Sequence, residues 1–298
     1  MRIFYPLSIY LTYYSHLMKV FPFKIPKAKE EALLYQEESG LLFYDKLHQH
    51  EETQMSYIES GEGTILVGDT ITQYQKGDIL VIGSNLPHVF RSEPNAEESS
   101  TMISLFFTYS SFGKDFFELP TFRNIQPFFE SCKNGFIIKD APKKIVKCFK
   151  KNKTPNEFER FITFLQTIKH FTKTNKTPLS SYIYDKKITD NEGKRMQTVF
   201  EYVMTNYHKN ISLEEISSIS NMTKNAFCRY FKVRTNKSFF QFLIEIRIER
   251  AAQLLSRKNE LSVLEIAELC GFNNISNFNR KFKEIKLISP LQYRKLNT

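Results

Sequence analysis

From Leu33 to about Phe107 the chain is a series of short apolar runs, LLFYDKL, QMSYIES, GEGTILVG, DTITQYQ, GDILVIG, HVFRS and TMISLFF. They are punctuated by Gly61, Gly63, Gly68, Asp69, Gly77, Asp78 and Gly83. Short strands at regular spacing with such turns predict an antiparallel β-barrel or jelly roll. After Phe116 the pattern becomes mixed and helical. Pro120 and Pro127 mark boundaries, and NGFIIKD reads as a short edge segment. Beyond Pro155, Asn156 can cap a helix whose stripe is Phe158, Phe161, Ile162, Leu165 and Ile168, with Phe164 and Phe171 beside it. This stripe is wide enough to cover both the barrel and a second copy, so a homodimer is expected. Residues 173–193 lose apolar periodicity and gain Lys, Thr, Asn, Ser and Pro, the composition of a linker. The chain therefore divides into a domain over 18–172, a linker over 173–193 and a helical domain over 194–298. The predicted fold is multidomain α+β, an antiparallel barrel followed by an all-α unit.

The helical domain contains a duplication. At a shift of fifty residues Ser212, Leu213, Glu215, Ile216 and Ile219 fall on Ser262, Val263, Glu265, Ile266 and Leu269. After one inserted residue, Phe227, Arg229, Phe231, Lys232, Ser238, Gln241 and Phe242 fall on Phe278, Arg280, Phe282, Lys283, Ser289, Gln292 and Tyr293. Each copy opens with a capping box, Ser212 with Glu215 and Ser262 with Glu265. Leu213, Ile216 and Ile219, and Val263, Ile266 and Leu269, supply the buried face of the short helix that follows. Asn221 and Gly271 end these helices with residues that tolerate a left-handed turn. A second helix then starts at an angle, burying Phe227, Tyr230 and Phe231 in one copy and Phe278 and Phe282 in the other. Its polar face carries Lys224, Asn225 and Arg229, or Asn279 and Arg280. This is the geometry of two helix-turn-helix units. A helix from Lys194 buries Met196, Val199, Phe200 and Val203 ahead of them, and one long helix over 238–255 joins them.

Charge follows this division. The chain is 298 residues long with net charge +10, and residues 193–298 hold 18 Lys+Arg against 9 Asp+Glu. The basic excess thus sits on the duplicated part, as expected of a module that neutralises phosphates. Cys132, Cys148, Cys228 and Cys270 lack any C-x-x-C spacing, which argues against a disulfide framework or a zinc finger and for a reducing cytoplasm. The apolar opening MRIFYPLSIYLTYYSHLMKVF is broken by Pro6, Ser8, Thr12 and Ser15 and lacks a signal-peptide cleavage site. Translation is expected to begin at Met18, and nothing later approaches a membrane span.

Within the barrel, His48-x-His50, Gln54, Gly61, Gly77 and His88 resemble in spacing the two sequence motifs of the cupin barrels. In those proteins histidines and an acid converge on a metal. Here Gln54 stands in the place of the glutamate, and Gly83 and Asn85 replace a proline and a glycine. A neutral amide is a poorer ligand for a divalent ion than a carboxylate. No cofactor is therefore expected, with a metal on His48, His50 and His88 as the alternative. The expected effector pocket is lined by Phe43, Tyr44, His48, His50, Gln54, Tyr57, His88 and Phe90.

The paired helix-turn-helix units, the bridging helix ending AAQLL, and IAELCGF, FNRKFK and SPLQYR resemble the AraC/XylS family of transcription regulators over roughly Lys194–Lys295. The barrel with GDILVIGSNLPHVF is similar to the cupin-like sensory domain of many members. Phe239 departs from the pattern, standing where the second unit keeps Pro290. The resemblance implies a non-enzymatic activator that binds double-stranded DNA in two successive major-groove segments and answers to RNA polymerase and a small-molecule effector, a sugar among the candidates. By position it implies base contacts from Asn225, Cys228 and Arg229 and from Ser276, Asn279 and Arg280. Chemistry adds Lys224, since Arg pairs with guanine, Asn with adenine, and Cys offers little to a base edge. Lys232, Lys237, Lys281 and Lys283 are assigned to phosphates. The alternative reading is a metal-dependent cupin enzyme fused to a DNA-binding tail.

Overall fold

In the computed structural model, which describes residues 32–92, 99–154, 156–181, 183, 190–257 and 260–297, the N-terminal half is two antiparallel sheets facing one another. The expected start at Met18 and the helix boundary at Pro155 lie outside the described residues. The larger sheet runs in the order β1 (Leu34–Gly40), β7 (Ser100–Phe107), β2 (Thr53–Ser60), β5 (Ile79–Ile82), β8 (Phe136–Ile138) and β9 (Thr177–Pro178). The smaller runs β4 (Thr70–Tyr74), β3 (Gly63–Val67) and β6 (His88–Ser92). Period-two alternation separates the faces of the large sheet. Ile58, Leu80, Ile82 and Met102 meet Ile65, Val67, Tyr74 and Phe90 of the small sheet in the interior. Met55, Tyr57, Val81 and Leu105 face outward onto a helical layer.

That layer consists of α1 (Gln126–Cys132), α2 (Lys143–Lys151) and α3 (Glu157–Phe171). Asn156 caps α3 as expected, accepting from the backbone N–H of Glu159 at 3.1 Å. The α3 stripe is largely covered within its own domain. Phe164, Ile168 and Phe171 are buried and Phe161 and Leu165 partly so, whereas Phe158 is 67% exposed. Ile162, the remaining residue of the stripe, is half-buried.

Three local expectations are corrected. LLFYDKL forms no strand, because Leu41 and Leu42 turn to solvent while Phe43 enters the interior; the polar segment Leu34–Gly40 pairs with β7 instead. NGFIIKD is not at the edge, since β8 lies between β5 and β9. The edge comes from Thr177–Pro178, within the stretch read as linker. Ser180 and Ser181 then fasten the chain to the buried Asp69 carboxylate, Ser180 Oγ and the Ser181 backbone N–H each donating at 2.9 Å.

The helical half begins with α4 (Asp190–Asn206), earlier than Lys194, and buries Met196, Val199, Phe200 and Val203. The first unit is α5 (Leu213–Ile219) and α6 (Lys224–Thr235). The helix α7 (Phe239–Arg257) bridges to α8 (Val263–Leu269) and α9 (Ile275–Lys286), and α10 (Pro290–Asn297) closes the domain. Helices as short as α5 and α8 are marginal alone, so their ends matter. Both capping boxes are formed. Both turns are left-handed, with φ of 53° at Asn221 and 82° at Gly271. A side chain at Gly271 would also approach the carbonyl oxygen of His208 to 2.8 Å. Phe239 does not disturb α7. Ser238 and Gln241 cap it reciprocally as Ser289 and Gln292 cap α10, and Phe239 itself is buried against Phe227 and Phe231. One inward position is corrected. Leu269 is 53% exposed, and Ala267 and Cys270 are buried with Ile266 in its place.

Candidate ligand site and DNA-facing surface

The structure gathers His48, His50 and His88 inside the barrel. One donor nitrogen from each ring lies within 4.8 Å of the others, and all three side chains are buried. Local backbone orients each ring. Nδ1 of His48 meets the Lys46 carbonyl at 2.8 Å, that of His50 the Glu52 carbonyl at 2.8 Å, and that of His88 the Leu86 carbonyl at 2.9 Å. A carbonyl can only accept, so the neutral rings carry their proton on Nδ1 and present Nε2 as a lone pair. Backbone carbonyls commonly fix metal-binding histidines in this way. Nε2 of His88 is buried without a hydrogen-bond partner within the protein. Burial pushes the His48 pKa down to about 4, and it lowers those of His50 and His88 as well. At neutral pH the cluster is therefore an uncharged set of donors, the form that binds a metal ion.

Gln54 joins the cluster through a buried polar chain. Its Oε1 lies 3.2 Å from Nε2 of His50, its Nε2 donates to Ser56 Oγ at 2.8 Å, and Ser56 Oγ is 2.7 Å from Ser104 Oγ. With the proton of His50 on Nδ1, two acceptors face one another. They repel unless a cation stands between the donors or the amide turns over. Three imidazoles, an amide oxygen aimed at one of them and an orphaned Nε2 together fit a divalent ion of the type that accepts N and O ligands. Ser56 and Ser104 were not among the expected site residues. Their signal was present in the sequence, as serines at inward positions of the apolar strands QMSYIES and TMISLFF.

The remaining expected pocket residues separate. Tyr44 packs edge-on against His48 at 5.0 Å between ring centroids while half-exposed. Phe43 and Phe90 belong to the interior core, packed against Tyr74. Tyr57 is corrected outright. It projects from the opposite face of β2, against Phe149 in the helical layer.

On the helical half, Asn225, Cys228, Arg229 and Lys232 are exposed along α6 at relative positions 0, 3, 4 and 7. Ser276, Asn279, Arg280 and Lys283 repeat this spacing, also exposed, along α9. Each set is one continuous helix face, backed by buried Phe227 and Phe231 or Phe278 and Phe282. Partners differ between the two. Arg280 donates to Glu284 at 2.8 Å and to Asn277 at 2.9 Å, and Lys281 pairs with Glu284 at 2.7 Å. Lys224 is paired with Glu214. Lys237 is displaced from its expected role. It is held by Glu245 at 2.6 Å in the cleft between the helical domain and β4.

Comparison with known proteins agrees with both halves. A helix-turn-helix domain family model matches residues 216–296 and a cupin domain model matches residues 44–102. The uncharacterized HTH-type transcriptional regulator YdeC of Bacillus subtilis is 25% identical over 275 residues, 86% of this chain and 88% of its own length. The probable transcriptional regulator LumQ of Photobacterium leiognathi is 27% identical over 115 residues, 39% of this chain and 45% of its own. Among solved structures, ToxT from Vibrio cholerae O395 aligns over 90% of this chain and 98% of its own at 14% identity and a TM-score of 0.37. No helix among the described residues is long and apolar enough to cross a membrane.

Proposed function

From its place among the AraC-type helix-turn-helix transcriptional regulators that carry a cupin domain, we propose that this chain reads a specific DNA site with α6 and α9 and that its barrel senses a small molecule at the histidine cluster. The observation that carries the reading is the pair of equivalent exposed faces on α6 and α9, which sit in the basic part of the chain. Arg229, Asn225, Asn279 and Arg280 are the base-reading side chains, with Ser276 and Cys228 at the same face. Lys232, Lys281 and Lys283 contact phosphate, supplying affinity and salt dependence without sequence information. Lys237, sequestered by Glu245, has no part in this.

In the barrel, Nε2 of His48, His50 and His88 and Oε1 of Gln54 would hold a divalent ion. A bound ion would act as a Lewis acid that anchors an oxygen-bearing ligand. The chain's own contribution is orientation. Carbonyls of Lys46, Glu52 and Leu86 fix the rings, and Ser56 with Ser104 fixes the amide. Mapping genomic DNA bound by the protein in its native host, followed by titration of the recovered site with and without chelator, tests both parts. A defined site that is lost in the Arg229→Ala, Arg280→Ala double variant is expected. Binding with no preference among sequences would overturn the DNA reading. The direction of control, activation in this reading, is given by a reporter fused to the recovered promoter.

A further inference from the structure

Behind the histidine cluster lies the contact between the two domains, and one row of side chains connects them. His48 and His88 form a closed antiparallel pair, exchanging backbone hydrogen bonds of 3.0 and 2.9 Å. Their rings point into the barrel. The next residues, Leu47 and Val89, point out of the opposite face of the same two segments. Val89 is in register with Leu66, and Leu66 with Ile71, so Leu47, Val89, Leu66 and Ile71 make a single row across the outside of the small sheet. All four are buried, in one core with α4 and the first helix-turn-helix unit. Polar contacts ring this core. Lys46 pairs with Glu201 at 3.0 Å, the Gln73 amide donates to the Glu249 carbonyl at 2.8 Å, and the Arg91 guanidinium lies 5.7 Å from the centre of the Phe200 ring.

We infer that the histidine site and the first helix-turn-helix unit are mechanically coupled through Leu47 and Val89, so that an occupant of the barrel sets how the DNA-binding domain is docked. The inference rests on the sensory reading of the barrel. Two of the three histidines are each one residue from an interface side chain and share its backbone. Drawing the rings together around an occupant moves Cα atoms of 48 and 88, and with them the outward side chains next to them. A close-packed core does not absorb such a shift continuously, and small displacements become a change of docking. The second unit has its own core around Phe278 and Phe282, and its Ile285 lines the cleft that β4 shares with Lys237 and Glu245.

Hydrogen exchange on the full chain, with cobalt(II) as probe and its absorption spectrum reporting occupancy, tests the coupling. In the parent protein, cobalt should change exchange in α4 and the first half of α7 several-fold while leaving α9 and α10 unchanged. In Leu47→Ala, cobalt should bind with the parent affinity and the response in α4 should be lost; Val89→Ala repeats the test independently. Cobalt that binds the parent protein without any change in α4 would overturn the coupling. If cobalt does not bind, the metal-holding part of the proposed function fails separately. The coupling is then read from His48→Gln and His88→Gln without metal. Each should change exchange in α4 several-fold relative to the parent, and unchanged exchange in both would overturn it.

Discussion

The two helix-turn-helix units share ancestry in sequence, capping boxes, left-handed turns and aromatic cores, yet they differ in what they lean on. The first unit is continuous with the barrel, its Phe227 and Phe231 lying in the same apolar core as Leu47, Leu66, Ile71 and Val89. The second is a self-contained cluster built on Ile248, Ala251, Ile266, Phe278 and Phe282. The arginines at matching positions differ as well. Arg280 is held by Glu284 and Asn277, whereas Arg229 is exposed on the matching face of its helix. One motif used twice thus packs in two ways, once continuous with the apolar core of the barrel and once around a core of its own.

The largest test of this contrast is truncation of the equivalent core phenylalanines. Phe231→Ala and Phe282→Ala should each destabilise by about 3–5 kcal/mol. Only Phe231→Ala should also release the barrel, so limited proteolysis should sever its domains faster, while Phe282→Ala leaves the barrel contact intact. Identical proteolytic patterns would break the distinction.

Acid should act on the first unit's side of the molecule before the second. The folded-state pKa values of His48, His50 and His88 lie below the unfolded value, so the unfolded chain takes up protons first as pH falls. For metal-free protein, stability should be constant above about pH 6.5 and decline from there toward pH 4, with His48 alone accounting for at most about 3 kcal/mol. Exchange measured across that window should rise in the barrel and α4 first. The second unit has no histidine, the last in the chain being His208.

A smaller effect separates the arginines. Arg229→Ala should cost about 1–3 kcal/mol on the specific site and relax one base position. Arg280→Ala should cost less, because binding must first draw Arg280 away from Glu284, and Glu284→Gln should tighten binding. Equal losses measured on a panel of base-substituted sites would erase the asymmetry. Smallest and most symmetric are the caps. Ser212→Ala and Ser262→Ala should each lower stability by about 0.5–2 kcal/mol in thermal unfolding, and a marked inequality would show that the copies differ in their helix starts too.

What could be read from the sequence was local. Capping boxes, the turns at Asn221 and Gly271, and the His48-x-His50 spacing are short-range patterns, and the structure forms all of them, with His88 joining the pair from β6. Tyr57 was misplaced because both faces of β2 are buried, so no polar alternation distinguishes the interior from the helical layer. Leu34–Gly40 escaped notice because it is a half-exposed strand whose partner, β7, lies over sixty residues away in sequence. Lys237 looked like a phosphate ligand by charge alone, since Glu245 approaches it only once α7 forms. The interdomain row is invisible to periodicity, as Leu47, Leu66, Ile71 and Val89 come from four separate segments.

The alternation of His88 with Val89, and of Leu47 with His48, also bears on how such a protein can change over generations. In the proposed coupling, residues facing the interior select the molecule and their immediate neighbours carry its presence to the first helix-turn-helix unit. Because the two sets share the backbone of one strand pair, a substitution on the interior face is felt on the outer one as well. Under the proposed coupling, a change of recognised signal and a change of output are therefore inherited together.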